Sequence, residues 1–173
     1  MDHRTQVMGI LNVTPDSFAD GGRHNTFALA LARAEEMIVE GVDIIDIGGE
    51  STRPGAERVS VDEEKNRTIP LITELQVRGI PLSIDTMRAE VAEAAISAGA
   101  TIVNDVSGGL ADPKMAPLLA RNKGVQYIAM HWRGHSRDMQ SKAYYDDVVR
   151  EVKEELDQRI TDLLDVGLDP EQI

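Results

Sequence analysis

The feature that most constrains this chain is a regular alternation of short apolar segments with longer amphipathic ones. Apolar runs predict five β-strands, at residues 7–11, 42–47, 80–84, 101–103 and 125–130. Each run is followed by a segment whose apolar residues recur at helical spacing, as at Phe27, Leu31 and Ala34. We expect a parallel sheet covered by helices, because alternating β and α segments pack in that way.

Capping residues set the limits of five predicted helices, at about 26–40, 61–77, 87–98, 113–122 and 146–166. Ser60 and Glu63 form a capping box before the second helix. Thr86 is placed to cap the third helix and Asp112 to cap the fourth. Pro70 lies inside the second helix, where a proline kinks or splits the chain.

Two architectures fit five β-then-α units: a doubly wound sheet and a (β/α)8 barrel. The first loop lacks the G-x-G-x-x-G fingerprint, which disfavours a dinucleotide-binding fold. Each predicted strand ends next to a different polar residue or loop. Side chains contributed by several strands to one mouth are typical of a barrel, so the strand ends favour the barrel although the alternation fits both.

Charge and composition narrow the range of functions. The 173 residues carry a formal net charge of −12 and contain no cysteine. A surface of that charge repels nucleic acid, so we expect no nucleic-acid partner, and an anionic ligand would need a local basic site. No leader peptide opens the sequence and no run approaches the roughly 18 apolar residues of a membrane span. We therefore expect a cytoplasmic protein with no membrane partner.

Asp85 and Asn104 follow neighbouring predicted strands, so their side chains can face the same small molecule. A carboxylate accepts two N–H bonds, and an amide both donates and accepts. Together they suit a flat heterocycle with an amidine-like edge, such as a 2-amino-4-oxo pteridine or a purine. The alternative is that each side chain only caps the segment that follows it.

Other strand ends carry groups suited to an anion and a metal. The stretch Ser51-Thr52-Arg53-Pro54-Gly55 combines hydroxyls with a guanidinium, which suits a phosphate or carboxylate, although an arginine in a surface turn is the commoner meaning. Asn12 and Asp16 offer oxygens for Mg²⁺, which takes few protein ligands and keeps several waters. His131 is a ligand, a proton carrier or simply a hydrogen-bonded structural residue.

These motifs together resemble those of the dihydropteroate synthases, folate-pathway enzymes that bind a pterin and that sulfonamides inhibit. The resemblance covers residues 7–173, and the sequence Met130-His131-Trp132-Arg133 is similar to that of actinobacterial members. The family implies a (β/α)8 TIM barrel, here only its first five βα units, in one domain over residues 1–173. The motifs are Met8-Gly9-Ile10-Leu11-Asn12-Val13-Thr14-Pro15-Asp16-Ser17-Phe18, Gly48-Gly49-Glu50-Ser51-Thr52-Arg53-Pro54-Gly55, Ser83-Ile84-Asp85-Thr86, Asn104-Asp105-Val106-Ser107-Gly108-Gly109 and Met130-His131.

The resemblance also implies a reaction: condensation of 6-hydroxymethyl-7,8-dihydropterin diphosphate with p-aminobenzoate, with Mg²⁺, to give 7,8-dihydropteroate and pyrophosphate. Pyrophosphate would leave first, its charge neutralised by the metal and an arginine. Carried over position by position, the resemblance implies that Asn12 binds Mg²⁺ and that Asp85 and Asn104 hold the pterin, with Met130 against it. Thr52 and Arg53 would contact the diphosphate, and Phe18 and Pro54 would line the p-aminobenzoate pocket. Arg53 and Asp16 would be catalytic.

Members of the family continue into a sixth strand, which Ile173 would open here. Later strands supply further pterin and diphosphate contacts, so we expect residues 1–173 alone to be inactive. We also expect no stable monomer, because the first and fifth strands would each lack a neighbour. The complete enzyme is expected to be a homodimer.

Two alternatives remain. One is a pterin-binding methyltransferase of the same superfamily, against which the loops at 14–18 and 51–55 argue, since that reaction needs no diphosphate or aminobenzoate site. The other is a non-catalytic pterin-binding fragment.

Overall fold

The computed structural model describes residues 4–13, 22–51, 53, 55–56 and 58–173, with side chains in the first helix from residue 26. Five strands alternate with five helices, as the sequence predicts. The strands are β1 (Met8–Asn12), β2 (Ile44–Gly48), β3 (Leu82–Asp85), β4 (Ile102–Asp105) and β5 (Gln126–Ala129). The helices are α1 (Gly22–Glu40), α2 (Val61–Leu75), α3 (Ala89–Ala98), α4 (Met115–Arg121) and α5 (Val148–Val166), with 3-10 turns at Gln76–Arg78, Met139–Lys142 and Pro170–Gln172.

The five strands form one parallel sheet whose spatial order is the order of the chain, β1-β2-β3-β4-β5. A doubly wound sheet reverses its direction of growth at a switch point, where its ligand binds. No reversal occurs among the described strands. The fold is therefore α/β with the strand order of a barrel wall, which confirms the expected parallel sheet.

One face of the sheet is packed against the helices and forms the core. The strand residues that point to this outer face are almost fully buried, and they meet small and aliphatic residues of the helices. The core is aliphatic, in keeping with an aromatic content of 3%. The strand residues are Leu11, Ile45, Ile47, Leu82, Ile84, Val103 and Tyr127, and the helix residues include Ala34, Leu71, Ile72, Val91, Ala95 and Leu119.

The opposite, inner face is not the apolar surface that the strand composition predicts. At one level of the parallel register, Ile10, Asp46, Ser83 and Ile102 stand side by side. Two of these four are polar, and Ile10 is 65% exposed. Strands buried on both faces are expected to be apolar throughout. Here the inner positions approach the carboxyl ends of the strands, where they face an open mouth instead of a helix layer.

A long-range contact replaces the local cap that the sequence predicts for α3. Thr86 does not cap α3, which begins at Ala89. Its hydroxyl donates to Glu64 Oε1 at 2.6 Å and accepts the N–H of Arg88, the residue before the helix, at 3.2 Å. The Ala89 N–H is capped from the next unit, by Asp112 Oδ2 at 2.8 Å. Asp112 also acts locally, since its Oδ1 accepts the Lys114 N–H at 3.0 Å, although α4 begins only at Met115. Partners distant in sequence cannot be read from local spacing.

Two other local predictions concern α2. Ser60 caps this helix as expected, since its hydroxyl accepts the Glu63 N–H at 3.1 Å. Pro70 does not split the helix, which runs unbroken from Val61 to Leu75. No helix in the described part of the chain is both long and apolar enough to cross a membrane.

The last described residues dock on the preceding unit. Gln172 is 4% exposed, and its amide donates to the carbonyls of Leu119, Asn122 and Val125 at 3.3, 3.2 and 2.9 Å. Ile173 follows this 3-10 turn as the last residue of the sequence, so its place at the start of a sixth strand stays a prediction. Within the described residues β1 and β5 are therefore the edges of the sheet.

The edge strand β1 exposes apolar side chains and unpaired backbone groups, which favour association between copies. We expect purified residues 1–173 to self-associate and Ile10→Lys to weaken that association several-fold, because a lysine cannot be buried without a partner. Sedimentation velocity over a concentration series measures the effect. Val39→Lys is the control, since Val39 is 88% exposed on α1, outside the sheet. A parent chain that is monomeric and melts cooperatively would contradict the prediction.

Candidate functional site

The carboxyl ends of four neighbouring strands place Asn12, Gly48, Asp85 and Asn104 at one level of the inner face. Residues paired in parallel register point to the same side, so the three polar side chains share one mouth. Gly48 makes room for two of them. A methyl group built on its Cα would lie 3.0 Å from Asn12 Oδ1 and 3.5 Å from Asp85 Oδ2. Any larger residue there would push these two side chains away from each other.

Asp46 belongs to this site although the sequence pattern does not single it out. It lies one level below the mouth, is 3% exposed, and its Oδ2 accepts the Asn104 amide at 3.0 Å. Its Oδ1 and the buried Ser83 Oγ have no hydrogen-bond partner among the described residues. The available signal is an acid inside the apolar run Ile44-Ile45-Asp46-Ile47. Asp46 fixes the Asn104 amide and leaves its oxygen available to a ligand.

Burial raises the pKa of Asp85 to about 7, with smaller contributions from the charges of Asp46, Glu64, Asp105 and Glu50. The unliganded carboxyl therefore keeps its proton to a higher pH than an exposed aspartate does. A ligand that presents two N–H groups would favour the ionised form, which accepts both. Asp85 is suited to bind a neutral or cationic N–H edge and to reject an anion.

The turn after β4 is fixed from below by the buried carboxylate of Asp105. This carboxylate accepts the Ser107 N–H at 2.8 Å, the Ser107 hydroxyl at 2.7 Å, the Gly109 N–H at 3.0 Å and the Tyr127 hydroxyl at 3.0 Å. Burial nevertheless raises the pKa of Asp105, against the lowering effect of these bonds. The turn beside Asn104 is therefore rigidly anchored to β5.

The loop after β2 lies next to the loop after β5 at the same end of the sheet. The Gly55 N–H donates to the Ser136 carbonyl at 2.9 Å. Arg53 is exposed and forms no ion pair with the described residues. A cavity of about 460 Å³ lies between the two loops and is lined by Glu50, Ala56, Arg58, Met87, His135, Ser136 and Arg137. Thr52, Pro54, Asp16 and Phe18, four of the candidate residues, lie outside the described residues.

At the end of β5, Met130 is 44% exposed and lines a cavity of about 230 Å³ together with Met87 and Val106. His131 turns to α5, where its Nε2 lies 2.8 Å from Glu155 Oε2. Arg133 donates to the same carboxylate. This arrangement favours the structural interpretation of His131.

The oxygens of Asn12 and Asp85 on either side of Gly48 are the described groups best placed to meet a cation. No cluster of three or more His, Cys, Asp or Glu side chains that could hold a metal occurs within the described ranges. Mg²⁺ needs only one or two protein oxygens and completes its shell with water and ligand phosphates, so the amide oxygen of Asn12 at the mouth is chemically suited to it.

Comparison with known proteins gives consistent matches. A sequence model of pterin-binding enzymes matches residues 8–173. The dihydropteroate synthase of Synechocystis sp. is 48% identical over 171 residues, covering 98% of this chain and 59% of that protein. The structure of Xanthomonas albilineans dihydropteroate synthase with 4-aminobenzoic acid has a TM-score of 0.89 and 44% identity, covering 98% and 60% of the two chains. Burkholderia cenocepacia dihydropteroate synthase complexed with 7,8-dihydropteroate has a TM-score of 0.84 and 41% identity, covering 100% and 58%.

This chain thus spans about three fifths of the length of these relatives. The family model covers nearly all of it, and the identity exceeds 40% in each comparison. The polar residues at the strand ends lie within the matched region. By its sequence and its fold, the chain belongs to the pterin-binding enzyme family.

Proposed function

We propose that this chain is the pterin-binding part of a dihydropteroate synthase. The proposed reaction joins 6-hydroxymethyl-7,8-dihydropterin diphosphate and p-aminobenzoate, forms 7,8-dihydropteroate and releases pyrophosphate. The observation that carries the proposal is the row of Asn12, Asp85 and Asn104 at one level of the inner face, beside the loop that carries Arg53.

The pterin ring is the ligand that best matches Asp85 and Asn104. Its 2-amino-4-oxo edge presents adjacent N–H groups to the Asp85 carboxylate, and the amide of Asn104 supplies an acceptor that Asp46 holds in place. Met130, partly exposed at the end of the neighbouring strand, offers an apolar surface for the face of the ring. The resemblance of the chain to the family supports the same assignments.

The diphosphate is assigned to Thr52 and Arg53, and Mg²⁺ to Asn12. A guanidinium without an ion-pair partner among the described residues is free to bind a phosphate. Its positive charge locally offsets the repulsion of an anionic ligand by the net charge of −12. When bound, Mg²⁺ neutralises charge on the departing pyrophosphate. Loss of pyrophosphate breaks the bond between the pterin methylene and oxygen, and leaves a cation at that carbon.

The amine of p-aminobenzoate then captures this cation and loses a proton. Phe18 and Pro54 are assigned to its pocket and Asp16 to the catalytic groups, all on the strength of the family motifs. Sulfonamides, which resemble p-aminobenzoate, are expected to occupy the same pocket. We further propose that the complete enzyme is a cytoplasmic homodimer.

The reaction is tested by measuring pyrophosphate release from the complete polypeptide that carries this sequence. Release that requires p-aminobenzoate and that sulfonamide inhibits supports the proposal. Methyl transfer from a reduced folate without pyrophosphate release would support the methyltransferase alternative. Pterin binding without either reaction would support a non-catalytic binding protein.

Asp85→Asn is expected to weaken pterin binding. The substitution keeps the shape of the side chain but replaces an acceptor oxygen with a donor. A mispaired buried polar group costs about 1–3 kcal/mol, which corresponds to about tenfold or more in affinity. Calorimetric titration with 6-hydroxymethylpterin measures this loss, and unchanged affinity would rule out the assigned role.

Asp85→Asn should also increase the free energy of unfolding of the unliganded protein at high pH. Because the pKa of Asp85 rises from 3.8 to about 7 on folding, the folded state keeps a proton that the unfolded state releases, and stability falls as pH rises between these values. Removing the group should increase the unfolding free energy at pH 8, by up to about 4 kcal/mol, and by less at pH 5. Denaturant titrations at both pH values measure the difference.

Asp43→Asn serves as a control of opposite sign. Asp43 accepts the Val7 N–H and an Arg4 hydrogen bond, which lower its pKa. Its replacement should therefore reduce stability above its unfolded-state pKa of 3.8, with the difference disappearing at lower pH. An Asp85→Asn variant that behaves like Asp43→Asn would show that Asp85 is not destabilised by burial.

Asn12→Ala is expected to remove most of the Mg²⁺ dependence of pyrophosphate binding. In the parent protein, Mg²⁺ should strengthen pyrophosphate binding about tenfold, because an ion held by the Asn12 oxygen would neutralise charge on the phosphates. In the variant, the gain should be no more than about twofold. Asn122→Ala is the matched control, since its amide only donates to the Leu118 carbonyl on α4. An equal Mg²⁺ effect in both variants would exclude Asn12 as the metal ligand.

A further inference from the structure

Arg88 ties three separate segments of the chain together just outside the strand-end site. One terminal nitrogen, Nη1, donates to Glu64 Oε2 on α2. The other, Nη2, donates to the Val59 carbonyl at 2.7 Å and lies 2.9 Å from Glu50 Oε2. We call Glu50, Glu64 and Arg88 the Arg88 clasp.

The two carboxylates of the clasp are buried, which makes the arginine hard to replace. Glu64 is 1% exposed and Glu50 is 7% exposed. A buried carboxylate without a partner is strongly unfavourable, and the planar guanidinium fork can satisfy two at once. Lysine carries the same charge but has no fork, so it cannot reproduce these contacts.

The clasp closes the base of the loop after β2. Glu50 marks the start of this loop, and Val59 marks its end. Besides contacting Arg88, Glu50 accepts the Val59 N–H and the Arg58 Nε–H, both at 3.0 Å. Arg53 lies between these two anchored points and is itself exposed. The position of Arg53 relative to the sheet is therefore set by the two ends of the loop and by the bond between the Gly55 N–H and the Ser136 carbonyl, not by contacts of its own side chain.

The same cluster also holds the segment that follows Asp85. The Thr86 hydroxyl donates to Glu64 Oε1 at 2.6 Å and accepts the Arg88 N–H at 3.2 Å. One side of Glu64 thus fixes the residue next to Asp85, and the other side fixes the arginine that holds the loop. Through it, the loop of Arg53 and the strand end of Asp85 share one buried support.

We propose that Arg88 is a positioning residue. It holds the loop between Glu50 and Val59 at the distance from the sheet at which Arg53 contacts the diphosphate of a ligand whose pterin ring is bound at Asp85. The loop restraint stands on the contacts of the clasp alone. Its consequence for diphosphate binding rests on the proposed function. Arg88 itself touches neither ligand; it acts through the loop.

The first test measures the loop without any ligand. Within 51–59, trypsin can cut at Arg58–Val59, while Pro54 protects the bond after Arg53. Arg88→Met should speed cleavage of Arg58–Val59 in the complete polypeptide about tenfold or more, because cleavage follows the population of the opened loop. Arg78→Met is the control: Arg78 also joins two helices, through Glu35 of α1 at 2.8 Å, but lies at the far end of α2. Equal cleavage rates in the parent and Arg88→Met would overturn the proposal.

A second variant separates positioning from loss of stability. Arg88→Met alone leaves the Glu64 carboxylate buried and unpaired, and this lowers the melting temperature. In Arg88→Met/Glu64→Gln the buried charge is removed and the Thr86 hydroxyl can still donate to the Gln oxygen, so the melting temperature should recover. The loop should remain easily cleaved. Recovery of slow cleavage together with the melting temperature would show that Arg88 only stabilises the fold.

The ligand test compares inorganic pyrophosphate with 6-hydroxymethylpterin, which has no diphosphate. In the double variant, affinity for pyrophosphate should fall about tenfold while affinity for the pterin stays within twofold of the parent. An equal loss of both affinities would overturn the positioning role. If the parent binds neither ligand, the proposed function fails, and the cleavage rates decide whether Arg88 restrains the loop.

Discussion

The parallel register of the five strands is the constraint on which the candidate site depends. Because Asn12, Gly48, Asp85 and Asn104 are paired residue by residue, their positions follow from backbone hydrogen bonds and not from side-chain contacts. A slip of one residue in any strand would turn its polar end group into the helix-covered core. The buried outer face prevents such a slip, so the same apolar packing that stabilises the sheet also aligns the site.

Local patterns in the sequence predict the alternating elements, the aliphatic core and the polar ends of the strands. Asp85 or Asn104 alone could simply cap the segment that follows it. The two residues indicate a ligand site only because they end neighbouring strands. Asp46 could not be assigned in this way, because an acid in an apolar strand has no partner visible in the sequence. Its partner is the Asn104 amide, 58 positions away.

Thr86 shows why local rules fail next to the site. A threonine at the start of a predicted helix is expected to cap that helix. In the structure its hydroxyl instead meets Glu64, a buried acid of the preceding helix, and a distant aspartate performs the capping. The spacing of residues specifies which groups need a partner, while the packing of neighbouring units decides which partner they receive.

Bonds of this kind run across the unit boundaries. Asp112 of one βα unit caps the helix of the unit before it, and Gln172 binds the carbonyls of Leu119 and Asn122 at the end of α4 and of Val125 just before β5. The unit that contains α3 is thus completed by a residue that the ribosome synthesises later. During synthesis the helix α3 would lack its cap until the chain had emerged through Asp112. The bond that completes the start of α3 therefore forms only after translation has reached the following unit, which links the folding of these two units to the direction of translation.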